Sequence, residues 1–320
     1  MLSHGRRPSF VNNCGLWLWI PGSRFARPGM TVRVTLRSIR ICASLVWYDK
    51  EKMPPELSYI LFLLLRMAVA AAFVVSASII TERSGPVIGA LVATLPISAG
   101  PSYVFLALDH DAAFIAQGAL SSLPVNAATI VLGLTYVVLA QRHSFAVSVG
   151  SAIAVWIVLA SIIRLFDWTL TAGLVVNLVA FGICIPLLAK YRHVKMPLVT
   201  RRWYDIPFRA SLVATLVAIV VSTSGWVGPR VSGVIALYPI VFTSMMVILH
   251  PRIGGPPTAA VLANSAWGLL GFGMAIAVLH LGAANFGSAA GLSLGLATCI
   301  VWNLTLWWNG RRKRLAAAQT

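Results

Sequence analysis

Two stretches of thirteen residues share a pattern that decides how this chain is organised. Residues 228–240 read GPRVSGVIALYPI, and residues 85–97 read GPVIGALVATLPI. When residue 85 is placed on residue 228, Gly-Pro falls on Gly-Pro, Ala93 on Ala236 and Pro-Ile on Pro-Ile. We call this displacement the repeat offset. Aliphatic identities arise easily in an apolar chain, whereas paired Gly-Pro and Pro-Ile dipeptides do not. The pattern therefore predicts an internal repeat.

The composition indicates a membrane protein. Of the 320 residues, 58% are hydrophobic and only 10% are charged, where a soluble domain carries about 25% charged residues. The net charge of +17 could indicate a nucleic-acid partner. However, the Lys and Arg residues lie mostly in short loops between long apolar runs, where they orient a chain in the bilayer. We therefore expect the lipid bilayer, and not nucleic acid, to be the partner of this chain.

Nine segments are long enough to cross the hydrocarbon core, which requires about 20 predominantly apolar residues. We number them spans one to nine along the chain. They are Leu57–Ile80, Pro86–Leu108, Ala112–Ala140, Phe145–Phe166, Thr169–Leu188, Phe208–Val227, Pro229–Leu249, Thr258–Leu281 and Ala289–Trp308.

The positive charges of the loops predict the orientation. With nine spans, one side of the membrane receives thirteen Lys and Arg residues, including the tail Arg311–Arg314, whereas the other side receives only Arg164 and Arg230. The richer side is expected to be cytoplasmic. We therefore predict a multi-pass protein of a bacterial inner (plasma) membrane with a cytoplasmic C-terminus.

The repeat and the span count together predict an inverted-topology architecture. The repeat offset carries spans one to four onto spans six to nine, with span five as the linker. Because this is a displacement by five spans, an odd number, the second unit enters the membrane upside down relative to the first, an arrangement common in secondary transporters. The predicted fold is thus an all-α bundle with a 4+1+4 repeat. Its parts are residues 53–166, the linker 167–207, residues 208–309 and a basic tail 310–320.

Residues 1–52 do not fit this scheme, because they hold nine Lys and Arg residues and would have to face the poorer side. Three interpretations remain open. Translation could start at Met53, or the segment could be an Arg-rich targeting peptide, or it could be a basic arm on anionic lipid. All three place the segment outside the core fold.

Each unit resembles the small four-helix inner-membrane proteins of the GlpM type. The resemblance is carried by the pattern VSGVIALYP of residues 231–239, followed by His250 and Gly254-Gly255, and it extends over nearly the whole of each unit. It implies a fused pair of such units. It implies little about chemistry, because the activity of that family is poorly defined.

A candidate site follows from polar and helix-breaking residues within the spans. Pro96 and Pro239 fall near the middle of repeat-related spans, where an interior proline frees backbone groups that must find partners. Arg66 lies at similar depth, where a charge is costly. We predict a polar cavity for an anionic or carbonyl-bearing solute, bounded by Arg66, Pro96, Tyr103, Tyr238, Pro239 and Ser244. The alternatives are that Arg66 pairs with an internal acid and that the prolines only kink their helices.

No motif indicates catalysis. The chain contains no GxSxG, HExxH or Walker A sequence, and its four cysteines form no CxxC pair, so we expect no enzyme, metal or cofactor. The triplet Asp109-His110-Asp111 is too local for a metal site and is interpreted as a solvated loop. A secondary transporter or permease-like protein for a small solute is the leading hypothesis. The alternative is a non-transporting assembly or regulatory protein, and a homo-oligomer stays open.

Overall fold

The computed structural model describes residues 54–83, 99–194 and 202–317, and this part of the chain is helical apart from short connections. The predicted N-terminal extension and Pro96 lie outside these residues. Ten helices follow in order: α1 (Pro55–Arg83), α2 (Ala99–Asp109), α3 (Ala112–Leu139), α4 (Phe145–Ile163), α5 (Leu170–Ala189), α6 (Asp205–Ala236), α7 (Ile240–Ile253), α8 (Gly255–Asn264), α9 (Ala266–Phe286) and α10 (Ser288–Ala317).

The prediction of an α-helical membrane bundle is confirmed at this level. Within the described residues, seven helical segments are long and apolar enough to cross a membrane. They are Glu56–Ile79, Ala112–Leu139, Phe145–Ile163, Leu170–Ala189, Asp205–Ala236, Gly255–Phe286 and Ser288–Arg312. The count of nine stays a prediction, because span two falls largely in residues 84–98, outside the described ranges, and span seven is not a continuous helix.

The helix that contains span seven is interrupted at both the Gly-Pro and the Pro-Ile pair of the repeat pattern. Gly228 has φ 73° and ψ 178°, a conformation that glycine adopts without steric cost, and it separates residues 205–227 of α6 from residues 229–236. The helix then stops at Ala236, and α7 begins only at Ile240, with Pro239 as its N-cap. We call residues 229–253 the broken segment. It consists of two helical pieces joined by residues 237–239.

Helix α3 is the centre of the bundle. It is mostly buried and packs against α4, α5, α6, α8 and α9. Its 28 residues correspond to a length of about 42 Å at 1.5 Å per residue. Besides large apolar side chains such as Leu132, it buries Ser122, Asn126 and Thr129. A buried polar face in apolar surroundings has to be satisfied by neighbouring helices, and this requirement positions the candidate site.

Two glycine contacts bring backbones unusually close to α3. A Cβ atom added at Gly233 would lie 2.1 Å from the carbonyl oxygen of Gly118, and one added at Gly255 would lie 2.0 Å from that of Ala140. No side chain fits at either place. Close approach through small residues is how helices associate in apolar surroundings, where dispersion contacts drive packing.

Candidate functional site

The N-terminal end of α3 carries an ion pair between α1 and α2. The Arg66 guanidinium donates two hydrogen bonds to the Asp109 carboxylate, one from Nη2 to Oδ1 at 2.6 Å and one from Nη1 to Oδ2. The Arg66 side chain also lies over the ring of Phe105, at 5.9 Å. Arg66 was predicted to contact solute, and its charge is neutralised by an acid in this structure. The pairing matches the alternative considered for Arg66 from the sequence.

The residues that follow Asp109 attach this end to its neighbours. The His110 ring stacks on Phe114 with centroids 3.8 Å apart, and its Nε2 lies 2.9 Å from Ser224 Oγ on α6. Asp111 caps α3 by accepting a hydrogen bond from the Phe114 N–H at 2.9 Å. The two acids thus serve an ion pair and a helix cap. Among the residues described, no three His, Cys, Asp or Glu side chains cluster as metal ligands would.

The C-terminal end of α3 carries a second ion pair of the same geometry. Arg252 of α7 donates from Nη1 to Asp205 Oδ2 at 2.8 Å and from Nη2 to Oδ1. The guanidinium also lies over the ring of Tyr204, at 5.2 Å. Next to it, His250 Nδ1 lies 2.7 Å from the hydroxyl of Tyr136 on α3. Arg252 is one of the thirteen loop charges that predicted the orientation, and neither Arg252 nor Asp205 was among the predicted site residues.

The two ends are separated by about the thickness of a bilayer. Phe114 marks one end and Tyr136 the other, and the helical residues between them span roughly 33 Å. The hydrocarbon core of a membrane is about 30 Å thick. The ion pairs therefore lie near opposite surfaces of the bundle.

A group of polar side chains lies between these ends, and we call Tyr103, Ser122, Asn126, Asn177 and Ser232 the central polar cluster. The Tyr103 hydroxyl is 2.5 Å from Ser122 Oγ, and Ser122 donates to the carbonyl oxygen of Gly233 at 2.8 Å. These contacts join α2 and α3 to the first piece of the broken segment. Tyr103 is only 3% exposed and Ser122 is fully buried.

The two asparagines extend the cluster along α3. Asn126 Nδ2 donates to Asn177 Oδ1 at 3.0 Å and to the carbonyl oxygen of Leu269 at 3.2 Å. Asn177 Nδ2 in turn donates to the carbonyl oxygen of Leu123 at 2.6 Å. Two side-chain atoms of the cluster, Asn126 Oδ1 and Ser232 Oγ, are buried without a hydrogen-bond partner among the described residues. Such atoms are costly in apolar surroundings, so a polar partner at either of them would be favourable.

The predicted site residues fall into separate groups. Tyr103 belongs to the central polar cluster. Tyr238 and Pro239 form the interruption of the broken segment, where the Tyr238 ring packs edge-on against Trp156 at 5.2 Å. Ser244 is buried and donates to the carbonyl oxygen of its own helix at Val241, and Arg66 lies in the ion pair. The structure therefore brings Tyr103 to the broken segment but assigns Arg66 to the end of the bundle.

A separate cavity of about 570 Å³ lies between α1, α2, α9 and α10. Its lining is almost entirely apolar. Of the predicted site residues that the structure describes, Tyr103 is the one that lines it. This space does not match the polar cavity expected from the sequence.

Ser122 and Ser232 were missed from the sequence, because serine is common in membrane helices and neither interrupts its pattern. The available signal for Ser122 was its repeat relation to Ser265. Asn126 and Asn177 form hydrogen bonds between helices in the structure.

These helices define a multi-pass α-helical membrane protein. Comparison with protein-family models, with curated proteins and with solved structures gave no match. What the chain does must therefore be inferred from its own geometry.

Proposed function

We propose that this chain is a secondary transporter or permease-like protein that binds a small solute between the central polar cluster and the broken segment. The observation that carries this proposal is the broken segment itself, whose first piece accepts a hydrogen bond from Ser122 at Gly233. Discontinuous helices at mid-membrane are a recurrent way of building solute sites in transporters. Fold analogy supplies part of this argument.

The broken segment also contains a buried polar atom without a partner. At the interruption itself the backbone pairs locally, since the Tyr238 N–H bonds the Ile235 carbonyl and the Tyr238 and Pro239 carbonyls accept from the N–H groups of Ile240 and Thr243. Ser232 Oγ, in the first piece of the segment, is buried with no hydrogen-bond partner among the described residues, and such an atom is costly in apolar surroundings. A water molecule or a solute group next to Ser232 would satisfy it.

Helix boundaries support the inverted repeat on which the proposal rests. α3 and α8 begin at Ala112 and Gly255, and α4 and α10 begin at Phe145 and Ser288. Both separations equal the repeat offset. The hydrogen bond from Asn126 to the carbonyl of Leu269 also joins positions related by this offset. A contact between equivalent positions is expected where a pseudo-two-fold axis passes through a bundle. The resemblance of each half to GlpM-type proteins agrees with two fused units and stays a hypothesis.

We propose an anionic or carbonyl-bearing solute. Hydroxyl and amide groups in the central polar cluster can donate to a carbonyl or carboxylate oxygen, and Arg66 offers a planar guanidinium nearer to the surface. Arg66 binds Asp109 in the bidentate geometry that any carboxylate would adopt. A solute anion would therefore compete with Asp109 on its way to the cluster.

Reconstitution tests this proposal. The purified chain in liposomes is assayed for uptake of radiolabelled acetate, succinate, alanine and acetamide, which represent the anionic and carbonyl-bearing classes. Ser122→Ala removes the hydroxyl that joins Tyr103 to Gly233 and is expected to lower uptake at least tenfold. Ser121→Ala is the matched control, because Ser121 is also buried but bonds only the Gln117 carbonyl of its own helix.

The results separate the two candidate functions. Uptake that depends on Ser122 but not on Ser121 supports transport through the cluster. Absence of uptake and of thermal stabilisation by every probe would contradict transport and favour the alternative, a membrane assembly or regulatory protein. In that case Pro239→Ala should change stability only.

A further inference from the structure

We propose that the Arg66–Asp109 and Asp205–Arg252 ion pairs are two gates that close opposite ends of the bundle and open alternately. This inference rests on the proposed transport function and assigns the residues that control access to its site. Both pairs are formed in this structure. With both gates closed, this structure would correspond to the occluded state of an alternating-access cycle.

The two pairs connect equivalent elements of the two repeat units. At the N-terminal end of α3, Asp109 is the last residue of α2, and its partner Arg66 lies on α1. At the other end, Arg252 lies next to the last residue of α7, and its partner Asp205 is the first residue of α6. Each pair thus ties the end of one short helix to the long helix that opens its own unit.

The positions correspond across the repeat with the charges exchanged. The repeat offset carries Asp109 onto Arg252, so an acid in one unit occupies the place of a base in the other. Arg66 corresponds to Arg209, which acts electrostatically on Asp205. The residue that corresponds to Asp205 is Phe62, one helical turn before Arg66 on the same face. In units of opposite orientation, equivalent places lie at opposite membrane surfaces.

The exposure of the pairs fits contacts that break and re-form. The side chains of Arg66 and Asp109 are 23% and 30% exposed, and those of Arg252 and Asp205 are 12% and 13% exposed. Partly hydrated pairs contribute little net stability, because water competes for both partners. Bidentate geometry still fixes the closed position of each short helix. The more buried Asp205–Arg252 pair is expected to be the stronger gate.

If the two gates open alternately, breaking one ion pair should change the accessibility of the two ends in opposite directions. If one pair is broken, its end opens more often, and the other end, which can open only when the first is closed, opens less often. Loss of a partly exposed pair corresponds to about a fivefold change in the ratio of the two open states. A structural brace would instead loosen both ends or neither.

Thiol labelling measures this directly. All four native cysteines are replaced by Ser, and a single reporter is introduced as Ser232→Cys or Ser244→Cys, since both serines are buried. A membrane-impermeant methanethiosulfonate reagent is added to right-side-out or inverted membrane vesicles of the full chain. Ser144→Cys, in the exposed connection after α3, shows which vesicle presents the C-terminal end of α3.

Asp109→Asn is expected to raise labelling of the position-232 reporter about fivefold from the N-terminal end of α3. The same substitution should lower labelling of the position-244 reporter from the other end. Asp205→Asn should produce the reverse pattern with a larger change. The exchange of Arg66→Asp with Asp109→Arg should return labelling toward the starting value, because it restores the pair.

Glu56→Gln is the control, since it removes an exposed acid of α1 that lies outside both ion pairs and outside the broken segment, and it should leave both reporters unchanged. Parallel changes at the two reporters, or no rescue by the exchanged pair, would overturn the gate assignment. Uptake in liposomes is read separately. Transport without alternating labelling rejects the gates alone, whereas alternating labelling without uptake of any probe rejects the proposed function alone.

Discussion

The contact between α3 and the broken segment gives a stability prediction that can be worked from distances. At Gly233, an added Cβ would stand 2.1 Å from the carbonyl oxygen of Gly118, and its next neighbours are the C and Cα atoms of the same residue at 2.8 and 2.9 Å. All three are backbone atoms, so no side chain can rotate away. Gly233→Ala therefore requires α3 and the first piece of the broken segment to separate.

The magnitude follows from this separation. An ordinary van der Waals contact is about 3.5 Å, so the backbones must move apart by about 1.4 Å, with a loss of dispersion contacts around the crossing. Overpacking of this kind costs typically about 1–3 kcal/mol. The same movement stretches the 2.8 Å bond from Ser122 to the Gly233 carbonyl, which adds about 1 kcal/mol. We expect a total of about 2–4 kcal/mol.

The assay is a thermal unfolding series on the purified protein in one detergent. A destabilisation of this size lowers the midpoint by about 3–7 °C for a domain of this length. Gly118→Ala should cost less, because its Cβ would meet the Pro229 carbonyl oxygen at 3.3 Å. Gly182→Ala is the matched control, since it makes the same change within α5 where nothing lies within 4 Å. Its midpoint should be unchanged or slightly higher, because alanine favours the helix.

The order of the three variants is the decisive result. If Gly233→Ala unfolds at the same temperature as Gly182→Ala, the backbones do not meet at this crossing, and the reasoning is refuted. A loss of stability equal for all three would also refute it, because the effect would then come from glycine replacement in general.

Three further predictions concern the interior, the orientation and the N-terminus. Asn177→Ala should destabilise the protein by about 1–2 kcal/mol, because the carbonyl of Leu123 and the amide of Asn126 each lose a partner; Asn285→Ala, whose side chain is exposed and bonds only its own helix, is the control in the same unfolding assay. Reporter enzymes fused after Lys195 and Thr320 should both be active on the cytoplasmic side, and an external signal from either would contradict the predicted topology. A chain that begins at Met53 should insert and accumulate like the full sequence, whereas failure to insert would show that residues 1–52 are needed.

The repeat pattern predicted places where the chain leaves regular helix. Gly228 adopts a positive φ, and the helix is interrupted before Pro239, because glycine and proline act on the backbone locally. The sequence also predicted the first residues of α3 and α4, Ala112 and Phe145. It did not predict that α6 begins at Asp205, before the predicted Phe208, because the end of a helix depends on tertiary partners such as Arg252.

The candidate site was predictable only in part. Tyr103, Tyr238 and Pro239 do lie in or beside the broken segment and the central polar cluster. Arg66 was placed at mid-membrane by counting along its span, but the structure pairs it with Asp109, 43 residues further along the chain. Counting along one helix gives depth within that helix only. It does not give the tilt and shift of the helix, or the acid that packs against it.

The sequence by itself determined that this is a helical membrane protein and that the chain leaves regular helix at Gly228 and before Pro239, because these features depend on composition and on the backbone properties of single residues. The break between α8 and α9 at Ser265, within span eight, was not predicted. Tertiary structure decided which polar groups meet. The bonds from Ser122 to Gly233, from Asn126 to Asn177 and from Arg252 to Asp205 join residues between 47 and 111 positions apart. Such contacts depend on how the helices cross, and the crossings are set by the shapes of packed surfaces that no periodicity along the chain records.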